Sequence, residues 1–167
     1  MRLLGISGSL QARSANKALL DVAEAVADNG VDIVRFDGLA EIPAFNPDVD
    51  PAPPAVEAFR AAVALADGLL IATPEYAFGL PGALKNALDW LVGTGELYGK
   101  RVVVLSGVPS AERGANARAD LERTLGGQGA HVLASTTIAV PTALRGHEVD
   151  DGDVREAVAK ALAEYRV

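Results

Sequence analysis

The chain has 167 residues and a formal net charge of −7 at pH 7, and half of its residues are hydrophobic. This length supports one domain with a substantial core, and we predict a single domain over residues 1–167. An acidic chain offers no basic surface for a phosphate backbone, so the composition argues against a nucleic-acid partner. The absence of cysteine excludes disulfides, thiolate metal sites and a cysteine nucleophile.

Signals for targeting and for metal binding are weak in this sequence. The apolar run at the amino terminus is too short for the core of a signal peptide. No apolar run approaches the roughly 20 residues that span a bilayer, so we expect a cytoplasmic protein with no membrane partner. His131 and His147 are far apart and have no third ligand at a recognisable spacing, so we predict no metal site.

The first half of the chain alternates between predicted strands and helices. A short apolar run at Leu3–Ser7 predicts a buried strand, and helical spacing of apolar residues predicts a helix over Asn16–Asn29. Alternation over Val31–Phe36 predicts a second strand. The proline-rich segment Pro43–Pro54 predicts a loop. One face of the next helix is marked by apolar residues at helical spacing: Val56, Phe59, Val63 and Ala66.

The second half continues this alternation. Strands are predicted over Asp67–Thr73, Arg101–Leu105 and His131–Val140. Pro81 is suited to the first position of a third helix, which Gly93 ends. The last two helices are marked by their apolar stripes: Ala117, Leu121 and Leu125 for the fourth, and Val154, Ala157, Val158, Ala161, Leu162 and Tyr165 for the fifth.

Five alternating strands and helices predict a three-layer α/β sandwich. Strands that are continuous apolar runs are typical of a parallel sheet with helices on both faces. At this chain length the pattern favours the flavodoxin-like, five-stranded order 2-1-3-4-5. Ligands of such sheets bind beyond the carboxyl ends of the strands, at the switch point between strands 1 and 3. This rule selects the loops Ser7–Asn16, Thr73–Pro81 and Ser106–Gly114.

The first of these loops has the features of a phosphate site. Gly8 permits a sharp turn, and Ser9, Ser14 and Asn16 offer side-chain donors. Arg13 adds a guanidinium, and the following helix presents its free N–H groups and positive end to the same place. Ser14 could serve only as a helix cap, but capping does not require so many polar residues. We therefore predict that this loop binds a phosphate.

The second loop is suited to a planar ring. Pro74 and Pro81 stiffen the backbone, which can offer fixed N–H and C=O groups to the polar edge of a ring. Tyr76 and Phe78 can supply aromatic contact. Neither the dinucleotide fingerprint nor the triphosphate-binding P-loop is present. Strand 1 also lacks the acidic residues that a receiver domain would place at its end.

Two long motifs resemble those of the NADPH-dependent FMN reductase family, which includes bacterial chromate and quinone reductases. That family pairs G-S-L-R-x-x-S-x-N after strand 1 with P-E-Y-N-x-S-x-P-G-x-L-K-N-A-x-D-W after strand 3. The first motif is matched by Gly8, Ser9, Leu10, Ser14 and Asn16. The second motif is matched by a longer set: Pro74, Glu75, Tyr76, Pro81, Gly82, Leu84, Lys85, Asn86, Ala87, Asp89 and Trp90.

The resemblance implies a flavin mononucleotide (FMN) site built from all three loops. The residues expected to bind the cofactor are Ser9, Leu10, Gln11, Arg13, Ser14, Ala15 and Asn16 in the first loop, Pro74, Glu75, Tyr76, Ala77 and Phe78 in the second, and Ser106 and Gly107 in the third. Within this set, Ser9, Ser14 and Asn16 would hold the phosphate. The chain departs from the family pattern at Gln11, where arginine is usual, and at Ala77, where asparagine is usual.

The resemblance further implies an FMN-dependent oxidoreductase. NADH or NADPH would give a hydride to the flavin and leave, and a small-molecule electron acceptor such as a quinone or free flavin would follow. Because the flavin carries the chemistry, we predict no catalytic acid or base. Two alternatives stay open: a flavodoxin-like carrier or FMN-binding module without reductase turnover, and a relative that has lost flavin. A homodimer or homotetramer is also implied, with the helix at 81–92 as a candidate contact.

Overall fold

The computed structural model describes residues 1–110, 113–140 and 151–166. Within these residues, strands and helices alternate along the chain. They are β1 (Arg2–Ser7), α1 (Ala15–Val26), β2 (Asp32–Phe36), α2 (Pro54–Leu65), β3 (Gly68–Ala72), α3 (Gly82–Asp89), β4 (Arg101–Val108), α4 (Ala115–Gly127), β5 (His131–Ala139) and α5 (Gly152–Ala163). Two 3₁₀ helices, Gly38–Glu41 and Glu164–Arg166, follow β2 and α5.

The strands form a parallel sheet of order β2-β1-β3-β4-β5, which confirms the predicted order. Every pair of neighbouring strands is parallel. All residues of the central strand β3 are buried, whereas the edge strand β2 is partly exposed. The chain passes from β1 to β2 on one side and then to β3 on the other. The carboxyl ends of β1 and β3 therefore form the switch point at which a ligand is expected.

Helices cover both faces of this sheet, as the sandwich prediction requires. Leu69 and Ile71 of β3 point toward α2, α3 and α4, whereas Leu70 points toward α1 and α5. This division follows from the strand geometry, because successive side chains point to opposite faces. Phe59 of α2 is fully buried in the first layer, and Leu19 of α1 is fully buried in the second. None of the helices in the described residues has both the length and the apolar character needed to cross a bilayer.

Two helix boundaries in the first half differ from the prediction. Helix α1 ends at Val26, not at Asn29, because Ala27 adopts an extended backbone with a ψ of 138°. Helix α2 begins at Pro54, a residue that the predicted loop Pro43–Pro54 includes. Proline is tolerated at the first position of a helix, since its missing N–H would have no partner there.

The largest differences in the second half are at β4 and α3, whereas β3 and β5 end within one residue of their predicted bounds. Strand β4 continues beyond the predicted end at Leu105 to Val108, because Ser106 and Gly107 still pair with β5. Pro81 is the capping residue of α3 and not its first helical residue. The helix ends at Asp89, after which the chain tightens, with the Leu91 N–H donating to the Leu88 oxygen.

Tyr165 bonds the carboxyl-terminal turn to the interior of the sheet. Its hydroxyl accepts a hydrogen bond from the Val103 N–H at 3.0 Å and donates one to the backbone oxygen of Leu69. Val103 lies at the register irregularity between β4 and β5. Burial raises the pKa of the Tyr165 hydroxyl above its ordinary value, so the group stays neutral. A neutral hydroxyl can donate one hydrogen bond and accept another.

We expect Tyr165→Phe to lower the free energy of unfolding by about 1–3 kcal/mol. The ring volume is kept, but a buried N–H and a buried carbonyl both lose a partner. Urea unfolding measures this change, and Tyr98→Phe is the matched control because Tyr98 is 83% exposed. Equal unfolding midpoints for the two variants would contradict the structural role of the Tyr165 hydroxyl.

Candidate active site

A cleft of about 230 Å³ opens at the carboxyl ends of β1, β3 and β4. All three loops selected by the switch-point rule contribute to it. Its lining consists of Ser9, Gln11, Ser14, Ala15, Asn16, Pro74, Glu75, Tyr76, Gly107, Val108, Pro109 and Arg113. Most of the expected cofactor residues are therefore brought together. The expected residues that do not line the cleft are Leu10, Arg13, Ala77, Phe78 and Ser106. The cofactor roles of all these residues, inside and outside the cleft, stay predictions.

Three lining residues are not among those predicted: Val108, Pro109 and Arg113. All three lie in the selected third loop, but no motif marks them. The available signal for Arg113 was its position after the strand next to the switch point. Ala111 and Glu112 of this loop lie outside the described residues.

The first loop turns back on itself before α1 begins. The Ser9 hydroxyl accepts a hydrogen bond from the Gln11 N–H at 3.3 Å. Ser14 has an extended backbone and caps α1, since its hydroxyl accepts from the Asn16 N–H at 3.1 Å. Both serines and Asn16 are buried. Ser14 is therefore a helix cap whose side chain also faces the cleft.

The start of α1 is suited to an anion. A helix leaves its first N–H groups without intrahelical partners and carries partial positive charge at that end. No acidic residue occupies the first turn of α1, so this charge is not offset locally. Arg113 adds a cationic side chain to the cleft lining, and it forms no ion pair with any described residue. These groups fit the phosphate of FMN.

Asn16 bonds the first loop to the end of β4. Its Oδ1 accepts from the Gly107 N–H at 2.9 Å, and its Nδ2 donates to the Gly107 oxygen at 3.3 Å. A Cβ at position 107 would lie 3.2 Å from Oδ1 and 3.1 Å from Leu19 Cδ1. The close approach of the two segments therefore requires glycine here. The side chain predicted to hold a phosphate has a structural partner as well.

The second loop is bonded to both of its neighbours. The Tyr76 hydroxyl and Ser9 Oγ share a hydrogen bond of 3.3 Å across to the first loop. On the other side, Glu75 Oε2 accepts from the Asn116 N–H at 2.9 Å and from the Ala117 N–H at 3.2 Å, at the start of α4. The Asn16–Gly107 contact joins the first loop to the end of β4. The Ser9–Tyr76 bond joins the first loop to the second, and the Glu75 bonds join the second loop to the start of α4. We call this set of contacts the loop ring.

A strained turn follows Tyr76. Reciprocal backbone hydrogen bonds of 3.1 and 3.0 Å join Tyr76 and Gly79, and both residues between them have positive φ, 50° for Ala77 and 63° for Phe78. This conformation costs roughly 1–2 kcal/mol for a residue other than glycine, and asparagine tolerates it better than alanine. The departure from asparagine at position 77 therefore increases strain. Phe78 is 80% exposed at the tip of the turn.

Comparison with known proteins identifies the family of this chain. The family model for NADPH-dependent FMN reductase matches residues 1–145. An NAD(P)H-dependent FMN reductase of Pseudomonas aeruginosa is 37% identical, and the match covers 97% of this chain and 91% of the relative. A quinone reductase of Escherichia coli K12 is 31% identical, over 75% of this chain and 69% of the relative.

A solved structure shares the fold. The flavoenzyme NAD(P)H:(acceptor) oxidoreductase FerB from Paracoccus denitrificans superposes with a TM-score of 0.82 at 22% identity. That superposition covers 99% of this chain and 97% of the other. The three-layer sandwich, the cleft at its switch point and the family match lead to one conclusion: the chain belongs to the NADPH-dependent FMN reductase family.

Proposed function

We propose that this chain is an FMN-dependent NAD(P)H oxidoreductase that reduces quinones, flavins or similar small acceptors. The observation that carries the proposal is the cleft at the β1/β3 switch point, where a helix start with no acidic residue in its first turn faces a stiff loop. Membership of the family supports the same activity. Bound FMN would supply hydride acceptance from NADH or NADPH and electron delivery to the second substrate.

The first loop and Arg113 are proposed to hold the phosphate. The hydroxyls of Ser9 and Ser14 line the cleft beside the first turn of α1, where free N–H groups favour an anion. The guanidinium of Arg113 would add charge-assisted hydrogen bonds from the third loop. Gln11 lines the cleft at the position where the family pattern has arginine, and it supplies a neutral donor instead.

The segment from Pro74 to Tyr76 is proposed to bind the flavin ring, mainly through backbone groups. Pro74 restricts the backbone, and the Tyr76 hydroxyl is held by Ser9. The Glu75 carboxylate accepts two hydrogen bonds from α4, so we assign it no proton transfer. The role of the protein is then to bind, orient and partly desolvate its two substrates in turn.

A flavin titration followed by anaerobic reduction tests the proposed function. We expect the purified chain to bind FMN with a shifted visible spectrum, and NADPH or NADH to bleach the bound flavin. Free FMN with the same nicotinamide is the control. Absence of flavin binding would sink the proposal. Binding without bleaching by either nicotinamide would favour an electron carrier or FMN-binding module.

We further propose an oligomeric state, a location and a domain organisation. A homodimer or homotetramer is supported by exposed apolar side chains near α3, namely Phe45, Phe78 and Val92. Trp90 of the candidate contact helix is buried and donates to the Pro43 oxygen at 2.9 Å, so it packs within its own chain. A cytoplasmic location and a single domain over residues 1–167 are supported by the composition.

A further inference from the structure

We propose that the side chain of Glu75 is a positioning group: it couples the ring-binding loop to helix α4, and its carboxylate is not a ligand of the flavin. This inference rests on the proposed function for its effect on FMN. Its structural basis is independent of the cofactor: one carboxylate oxygen, Oε2, accepts both the Asn116 and the Ala117 N–H at 2.9 and 3.2 Å. Glu75 lies 41 residues before Asn116 in the chain.

Helix α4 needs a partner for its first N–H groups. Every helix start leaves such donors unpaired, and a side-chain oxygen just before the helix usually accepts from them. At α4 that position is Gly114, which has no side chain. The first turn of α4 also contains no acidic residue. The cap is therefore supplied from the second loop, and a carboxylate suits the positive end of a helix.

Packing and backbone conformation explain why no capping side chain stands at position 114. Gly114 has a φ of 90°, and a Cβ at this position would lie 2.6 Å from Ser106 Oγ and 3.0 Å from Val108 Cγ1. The positive φ alone strains any residue other than glycine here. A serine, threonine or aspartate cap at position 114 is thus disfavoured by contact and by backbone conformation. Among the described residues, the side-chain cap of α4 comes from the second loop.

The consequence for the cleft follows from the neighbours of Glu75. Pro74 and Tyr76, on either side of it, both line the cleft, as does Arg113 just before α4. Fixing the Glu75 carboxylate at the start of α4 therefore fixes the distance between the second loop and the end of the third loop. Ser14, at the start of α1, does not depend on this bond, whereas Arg113 lies just before the helix start that the bond fixes. Loss of the bond should therefore weaken the contacts of the flavin ring, which FMN and riboflavin share.

The test compares Glu75→Ala with Glu75→Gln on the full chain. We expect Glu75→Ala to raise the Kd of FMN and of riboflavin alike, by about fivefold to twentyfold. Glu75→Gln should retain most of the affinity, because its amide oxygen can still accept both N–H groups. Flavin fluorescence measures the Kd values. Glu156→Ala on α5 is the matched control, since Glu156 is exposed.

Amide hydrogen exchange on the flavin-free chain provides the second readout. We expect faster exchange at Asn116 and Ala117 in Glu75→Ala, and near wild-type protection in Glu75→Gln. Wild-type exchange and wild-type FMN affinity in Glu75→Ala would overturn the proposal. Equal losses of affinity in both variants, with both amides still protected, would indicate direct contact of the charge with the ligand and also overturn it. If the wild-type chain bound no flavin, the proposed function would fail, whereas the exchange measurement would still decide the tie.

Discussion

Replacing Asn16 with alanine is expected to weaken FMN binding at least tenfold and to lower the free energy of unfolding by about 1–3 kcal/mol. The Asn16 side chain is 2% exposed, and its amide satisfies both the N–H and the oxygen of Gly107. Its removal leaves two backbone groups without these partners in a buried place. The first and third segments of the cleft would then lose the two hydrogen bonds that Asn16 makes between them.

The ligand dependence of this loss shows how Asn16 acts. If it bonds the loops together, FMN and riboflavin should both bind more weakly, because the whole cleft is distorted. If it contacts the phosphate directly, only FMN should be affected. We expect the first result, since both ends of the amide are already bonded to Gly107. Unchanged affinity for both flavins would contradict either role.

Flavin fluorescence titrations and urea unfolding provide the measurements for Asn16→Ala. Asn29→Ala is the matched control, because Asn29 is exposed and follows the far end of α1. It removes the same amide without touching the cleft. A comparable loss of stability in the control would show that the Asn16 contacts contribute little.

Replacing Arg113 with glutamine is expected to raise the Kd of FMN about tenfold and to leave that of riboflavin nearly unchanged. A hydrogen bond to a charged group contributes about 1.5–3 kcal/mol. Arg113 is exposed, so solvent screening favours the lower part of this range. The loss should be confined to FMN, because only FMN carries a phosphate.

Titrations at two salt concentrations test this charge effect. Added salt should weaken FMN binding to the wild type more than to Arg113→Gln, because salt screens the charge of Arg113 and the variant lacks this charge. Arg2→Gln controls for net charge, because Arg2 lies at the amino end of β1, whereas the cleft lies at the carboxyl ends of the strands. Arg13→Gln compares the two candidate cations. A larger effect there would support the first-loop prediction and refute the assignment to Arg113.

The fold could be predicted because the buried strands carry continuous apolar runs. Runs such as Leu69–Ala72 need no tertiary information to be recognised, and their alternation with helical stripes restricts the strand order. The ends of strands and helices were harder to predict from the sequence. The end of β4 was missed because Ser106 and Gly107 are not typical strand residues, and only pairing with β5 keeps them in the ladder.

The site was predictable at the level of loops but not of bonds. Motif resemblance placed Asn16 and Glu75 at the cofactor, and both line the cleft. Their side-chain partners could not be inferred, because the Asn16 contact joins residues 91 positions apart and the Glu75 contact joins residues 41 apart. Such pairings depend on the packing of α1 and α4 against the sheet, which local patterns do not specify.

The loop ring also bears on how this cleft can diverge between related enzymes. Each of Ser9, Asn16 and Glu75 makes one of the contacts between segments. A substitution at one of them therefore alters which substitutions the other two can tolerate. Drift at these positions must therefore be coordinated. Phe78 lies outside the loop ring on an exposed turn, where a substitution removes none of these contacts. Sequence change is accordingly more accessible to evolution at that turn than among the residues that hold the cleft together.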